Sequence, residues 1–283
     1  MHRAPDAQRA LAHRSPRHFL AGSQPGPYGA RRPPGTQAKR RHRARWTFAP
    51  ENALSAAQNH LIELLPRRDR ARLLALCEPF ELVLSEVLCE TGAEAQHVYF
   101  PTDGFISLVA KVDPHPGLEV GMVGREGMVG APLVLGVLWS PLRALVQGPG
   151  SALRIGVAAF RRELADSPVL KRQLDRYVCV LIAQLTASAG CLRFHLIEPR
   201  LARWLLMSQD RAHADHFHIT HEFLAYMLGV RRVGVTVAAG KLQRSGLIEY
   251  HRGELTVLDR SGLEAAACSC YAADCRAYAA NVG

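Results

Sequence analysis

"GVRRVGVTVAAGKLQRSGLI", residues 229–248, can be read in two ways. Val233, Val235 and Val237 alternate with Arg232, Gly234 and Thr236, which is the period of a half-buried strand. Val235, Ala238 and Leu242 also recur at i, i+3 and i+7, which is one face of a helix, and no strand period accounts for Ala238, Ala239 and Gly240. The neighbouring sequence decides. In "ITHEFLAYML" (219–228) Thr220 can cap a helix whose apolar face is Leu224, Met227 and Leu228, and Gly229 can end it in a left-handed turn. A second helix after that turn would bury Val235, Ala238 and Leu242 against Leu224 and Leu228, with small Ala225 at the crossing. Leu224, Ala225, Leu228, Gly229, Val230, Val235 and Ala238 all stand where two crossed helices need apolar or small residues, so residues 231–244 are predicted helical. Gly234 is a weak point in that helix, costing about 1 kcal/mol relative to Ala.

After Gly246, "LIEY" and "ELTVLD" read as two strands joined at "HRG" (251–253), a wing beside a helix-turn-helix. Arg231, Arg232, Lys241 and Arg244 face no acid between Glu222 and Glu249, so this surface is basic. If residues 231–244 lie in a major groove, Arg231 and Arg232 are at the end where side chains reach base edges. Lys241, Arg244 and Arg252 would then meet phosphates.

The whole-chain charge does not carry this argument. Of 35 Lys/Arg and 25 Asp/Glu, residues 1–48 hold eleven bases and only Asp6, which leaves residues 49–283 balanced. That leader is rich in Arg, Pro and Gly without an apolar period and is expected to be a disordered basic tail, with "KRRHRAR" (39–45) able to follow phosphates. No apolar run approaches a membrane span, and seven cysteines in 283 residues fit reduced thiols, so a cytoplasmic protein without a membrane partner is expected.

Between tail and wing the texture changes twice. Residues 54–76 read as short helices broken at Pro66, and residues 80–156 as short β pieces cut by Gly and Pro, the pattern of a sandwich, barrel or jelly roll. Leu174, Val178, Leu181, Leu185, Ser188 and Leu192 then form a heptad seam. The expected architecture is α+β. It comprises a basic tail over 1–48, a β-roll over 54–160, a long helix over 161–193 whose seam can pack within the chain or against a second chain, and a winged helix-turn-helix over 194–275.

This order of parts, with "HEFLAYMLGVRRVGVT" (221–236), "HVYFPTDGFISLV" (97–109) and "VGREGMVG" (123–130), resembles the Crp/Fnr-type transcription regulators over roughly residues 54–275. The resemblance implies a cyclic-nucleotide-binding-like jelly roll, a homodimer formed on the long helix, double-stranded DNA as partner, and RNA polymerase as a candidate partner. It also implies an effector pocket, for which Glu126 and Arg143 are the matching candidates. Three departures are visible. "SPLRALVQ" (140–147) lacks the Arg-Ser pair of cyclic-AMP sensors, and residues 1–76 lack the cysteines of the iron-sulfur branch. The helix presents Val233 and Val237, beside Thr236, where an acid and an Arg are usual, which suits thymine methyl groups. The effector is therefore unknown, and neither cofactor nor metal is called for.

Four histidines in "HADHFHITH" (213–221) are expected to be solvated linker residues, and "CSCYAADC" (268–275) to be small buried cysteines, although a C-x-C-x4-C set can bind metal or sense redox state. Two rival functions remain. A metal enzyme on a cupin-like roll would have only His97 and His115 to work with, and a non-sensing architectural nucleic-acid binder would act through the basic tail.

Overall fold

A computed structural model describes residues 59–113 and 115–283. The expected basic tail lies outside the described residues.

Asn59 caps α1 (His60–Glu63): its Oδ1 accepts the Leu61 amide at 3.2 Å, and its amide donates to the carbonyls of Pro101 and Gly127. Pro66, which cannot continue a helix, separates α1 from α2 (Arg67–Ala75). Five antiparallel strands follow, β1 (Glu78–Leu82), β2 (Val87–Cys89), β3 (His97–Val112), β4 (His115–Val123) and β5 (Arg143–Gly156). They are ordered β1-β5-β3-β4, with β2 also on β5. Val98, Phe100, Ile106, Val123, Val146 and Ile155 are among their buried residues, and β3 is buried in consecutive runs rather than on one face alone. His97 opens β3 and His115 faces Val112 at its far end, about 50 Å of strand away at 3.3 Å per residue. A metal shared by these two histidines is excluded by that span.

The helix expected over 161–193 is two helices. α3 (Val157–Asp166) stops at Ser167, whose hydroxyl donates to Asp69 and accepts the Leu170 amide, and Pro168 starts α4 (Pro168–Phe194). The heptad seam is divided as well. Leu174, Val178 and Ser188 are buried within the chain beside Tyr177, Gln184 and Cys191, while Leu181, Leu185 and Leu192 are half-buried. The face left open lies one step round the helix, at Cys179, Ile182, Thr186 and Ala189, with Ile182 56% exposed. By length and a mean hydropathy of 1.5 α4 could cross a bilayer, a property the absence of a long unbroken apolar run conceals. Buried Gln184 and Ser188 and the packing of one face against the roll mark it as a core helix instead.

The C-terminal part runs α5 (Ile197–Ala212), β6 (His216–His218), α6 (His221–Leu228), α7 (Arg232–Arg244), β7 (Ile248–His251), β8 (Glu254–Val257), α8 (Arg260–Ala266) and α9 (Ser269–Asn281). β6 is a correction to the linker reading of residues 213–221. It pairs with β8 to complete a sheet ordered β6-β8-β7, and His216 and His218 both reach Glu254, at 2.8 and 2.6 Å. Phe105, Val109 and Met122 of the roll share one hydrophobic core with Trp204, Leu224 and Val235, so roll and winged helix are packed as one body.

Candidate nucleic-acid interface

The opening stretch is a helix, and its surroundings make it one. Thr220 accepts the Phe223 amide at 3.1 Å to start α6, and Gly229 ends it with φ +61°. There the Val230 amide donates to the Ala225 carbonyl and the Gly229 amide to that of Tyr226, a Schellman closure. A side chain at Gly229 would also meet Leu118 of β4 at 2.6 Å, so this position needs glycine for its backbone and for its space. Buried Arg200 of α5 donates to the Leu228 carbonyl, satisfying the helix end. α7 then leaves at 107° to α6. Gly234, unexplained by the sequence except as a weakness, lies where Ile197 crosses: a Cβ there would be 2.6 Å from Ile197 Cδ1.

Val235, Ala238, Ala239 and Leu242 form the buried face of α7. Arg232, Val233, Thr236, Val237, Lys241 and Arg244 share the opposite, exposed face, with Arg231 at the N-cap. Val233 is 73% and Val237 55% exposed, a cost in hydration that the packing of the chain does not relieve. The wing turn is Arg252-Gly253 with φ +52° and +92°, a two-residue hairpin turn. An arginine in left-handed backbone is uncommon, and here it puts a guanidinium at the exposed tip.

Two acids outside the sequence interval enter this face. Glu198 pairs with Lys241 at 3.1 Å, and Glu222 lies 3.9 Å from Arg232. Among the described residues Arg231, Arg244 and Arg252 make no ion pair. The wing is tied to the helices by Tyr250, which stacks on His221 at 4.4 Å between ring centroids, and whose hydroxyl donates to the Ile219 carbonyl. His221 Nδ1 in turn meets Thr236 Oγ1 at 3.0 Å, so Thr236 is oriented from below. Burial first, and then the charge of Arg232, hold the His221 pKa below its ordinary value. The imidazole is therefore neutral near pH 7 and adds no charge to the surface.

Residues 199–266 match the family model of the Crp-like helix-turn-helix domain. This stretch is a Crp-like helix-turn-helix domain. The fold of the chain agrees with solved structures along most of its length. A structure described as a transcriptional regulator of the Crp/Fnr family from Eubacterium rectale superposes with TM-score 0.58 at 15% identity over 72% of this chain and 96% of that one. The c-di-GMP responsive global regulator CLP of Xanthomonas campestris superposes at 0.57 and 17% over 69% and 100%. A CRP-family regulator of Thermus thermophilus superposes at 0.54 and 19% over 67% and 96%. No curated protein matches the sequence.

The two effector candidates, Glu126 and Arg143, are not brought together. Arg143, at the start of β5, lies 3.3 Å from Glu90 at the surface. Glu126 is buried and carries the Arg211 guanidinium at 2.8 Å, with both side chains 4% exposed. A small cavity inside the roll is lined by Leu88, Tyr99, Val129, Leu133, Leu138 and Trp139 among others, and includes neither candidate. "VGREGMVG" is instead the loop on which the helices dock. Arg211 of α5 grips the Glu126 carboxylate, Tyr278 of α9 donates to the Glu126 carbonyl at 3.0 Å, and Tyr177 of α4 to that of Met128. Gly124 and Gly127 leave the room these side chains occupy: a Cβ at Gly127 would lie 2.3 Å from the Tyr177 hydroxyl. The sequence offered no signal for Arg211, Tyr177 or Tyr278, because only the fold carries them to residues 124–128.

Proposed function

We propose that the chain is a Crp/Fnr-type transcription regulator that binds double-stranded DNA sequence-specifically as a homodimer, inserting α7 into the major groove. Arg231 and Arg232 read guanine edges at the N-terminal end of the helix. Val233 and Val237 meet thymine methyl groups, and Thr236, held by His221, lies between them. Lys241, Arg244 and the wing-tip Arg252 contact phosphates, Lys241 after exchanging its Glu198 partner. The observation that carries this reading is the exposure of Val233 and Val237 beside arginines on a helix whose other face is fully packed.

The open face of α4 at Cys179, Ile182, Thr186 and Ala189 is the surface on which the second chain would pack, and the two-fold axis of such a pair matches a palindromic site. A cytoplasmic location and contact with RNA polymerase follow from the regulator role. The roll transmits a signal through Glu126 and the "VGREGMVG" loop rather than using Glu126 as an effector ligand. Its effector is unassigned.

Selection of bound duplexes by the purified protein tests this reading. A palindromic consensus is expected, and Arg232→Ala should lose one base preference in each half-site, about 1–3 kcal/mol per contact. Salt-sensitive binding without sequence preference, unchanged by Arg232→Ala, would refute it.

A further inference from the structure

At the end of α4 the fold gathers four soft ligands that are far apart in sequence. Cys191 is on the last turn of α4, and His195 follows that helix as its cap. Cys268 precedes α9, and Cys270 lies in its first turn. Cys191 Sγ is 3.5 Å from Cys268 Sγ, Cys270 Sγ is 3.5 Å from His195 Nδ1, and all four ligand atoms lie within 4.8 Å of one another. Cys191 and Cys268 are buried, while His195 and Cys270 are half-buried, and the cysteines are free thiols.

A tetrahedral zinc site with Zn–S near 2.3 Å and Zn–N near 2.1 Å has ligand-to-ligand edges of roughly 3.5–3.8 Å. Two edges of this set already have that length, on opposite sides of the cluster. Three sulfurs and one imidazole exclude hard cations such as magnesium and calcium, and a complete set of four is the closed coordination of a structural ion. The other cysteines take no part. Cys275, the third of the C-x-C-x4-C run, lies in the winged-helix core, and Cys179 is exposed on α4. The electrostatics are complementary. Three thiolates around a dication leave a net negative charge, and Arg200 and Arg203 line the cavity beside Cys191.

We propose that Cys191, His195, Cys268 and Cys270 form a mononuclear metal site that takes zinc or another thiophilic divalent cation. The site is at the junction of the two halves of the molecule. α4 ends at Phe194 and α5 starts at Ile197, so the ion joins the long helix, the two-residue hinge and α9. Because α9 also reaches the roll through Tyr278 and the Glu126 carbonyl, metal at this point sets the angle at which the winged helix stands on the roll. Binding displaces the thiol protons, and the free energy of binding becomes rigidity of the hinge.

The test uses the full chain purified with a thiol reductant and without chelator, and elemental analysis of bound metal. One zinc per chain is expected. Replacing it by cobalt(II) should give the visible d–d bands and sulfur-to-metal charge transfer of a tetrahedral thiolate site. Cys268→Ser and Cys270→Ser should each weaken retention by roughly tenfold or more, whereas Cys179→Ser should leave it unchanged. If Cys268→Ser fails to fold, His195→Ala supplies the same comparison at a half-buried position. Substoichiometric metal after zinc loading, equal retention in the ligand variants, or a Cys191–Cys268 disulfide in the reduced preparation would each overturn the proposal. None of these readouts involves DNA, so the site can fail without the DNA-binding reading, and the reverse.

Discussion

Glu126→Gln is the substitution that most directly tests how the two halves of the molecule are held together. Glutamine keeps the shape of the side chain and an oxygen for the Gly124 amide, and removes only the charge. Arg211 then remains 4% exposed and loses the Glu126 carboxylate, while the charges of Asp210 and Asp274 still act on it. Breaking one side of a buried ion pair costs about 3–5 kcal/mol. Arg211 still donates to the Met207 carbonyl at 3.0 Å, which places the expected loss in the lower half of that range. For a body of this size each kcal/mol lowers Tm by about 2–4 °C, so a fall of roughly 6–15 °C is expected. Thermal and urea unfolding, followed by circular dichroism, measure it. The pair spans the roll and α5, so the variant should also unfold less cooperatively, with roll and winged helix separating into two transitions. A Glu126→Leu/Arg211→Met double variant should recover most of the loss, because well-packed apolar side chains replace a buried pair at little cost. A Glu126→Gln loss under about 1 kcal/mol, or a double variant whose cost equals the sum of the singles, would show that the contact does not couple the two parts.

Gly127→Ala should destabilise by about 1–3 kcal/mol through overpacking against the rigid Tyr177 ring, and Tyr177→Phe in the same chain should return part of it, as read by urea midpoints. Burial pushes the Glu119 carboxyl up to about 7 from an ordinary 4.5, against hydrogen bonds from Ser107 and Trp204. A raised folded-state pKa gives stability that is full below pH 4.5 and is lost as pH rises to 7. The loss is at most roughly 3 kcal/mol, and Glu119→Gln should flatten that slope in a pH series of melts. Val237→Ser should leave stability within about 0.5 kcal/mol, since the side chain is 55% exposed, yet erase a thymine preference in DNA selection; a loss of stability with unchanged selection would assign Val237 to packing.

The helix-turn-helix was legible because its constraints are local. Thr220, Gly229 and the apolar spacing of Leu224, Leu228, Val235 and Ala238 act within two helices, and each is found where its chemistry requires. The β texture and the break at Pro66 were legible for the same reason. The strand-like alternation of the valines was misleading because two of the three, Val233 and Val237, face solvent rather than a core.

Local period thus determined the kind of element for the strands of the roll and for α6 and α7, though not for β6 or the break at Ser167, and residue type determined which surface of α7 stays exposed. Only the tertiary structure decided which side chains meet across long separations. It placed Arg211 on Glu126, so a residue that matched an effector ligand became a strut between domains. It turned one stripe of α4 inward and left the next one open, and it drew His216 and His218 into a third wing strand. It also brought Cys191 and His195 to Cys268 and Cys270 across more than seventy residues of chain. The physical reason is that hydrophobic period and capping are short-range along the chain. Pairing of buried charges and gathering of soft ligands depend on how whole elements pack, and single residues carry no period that announces it.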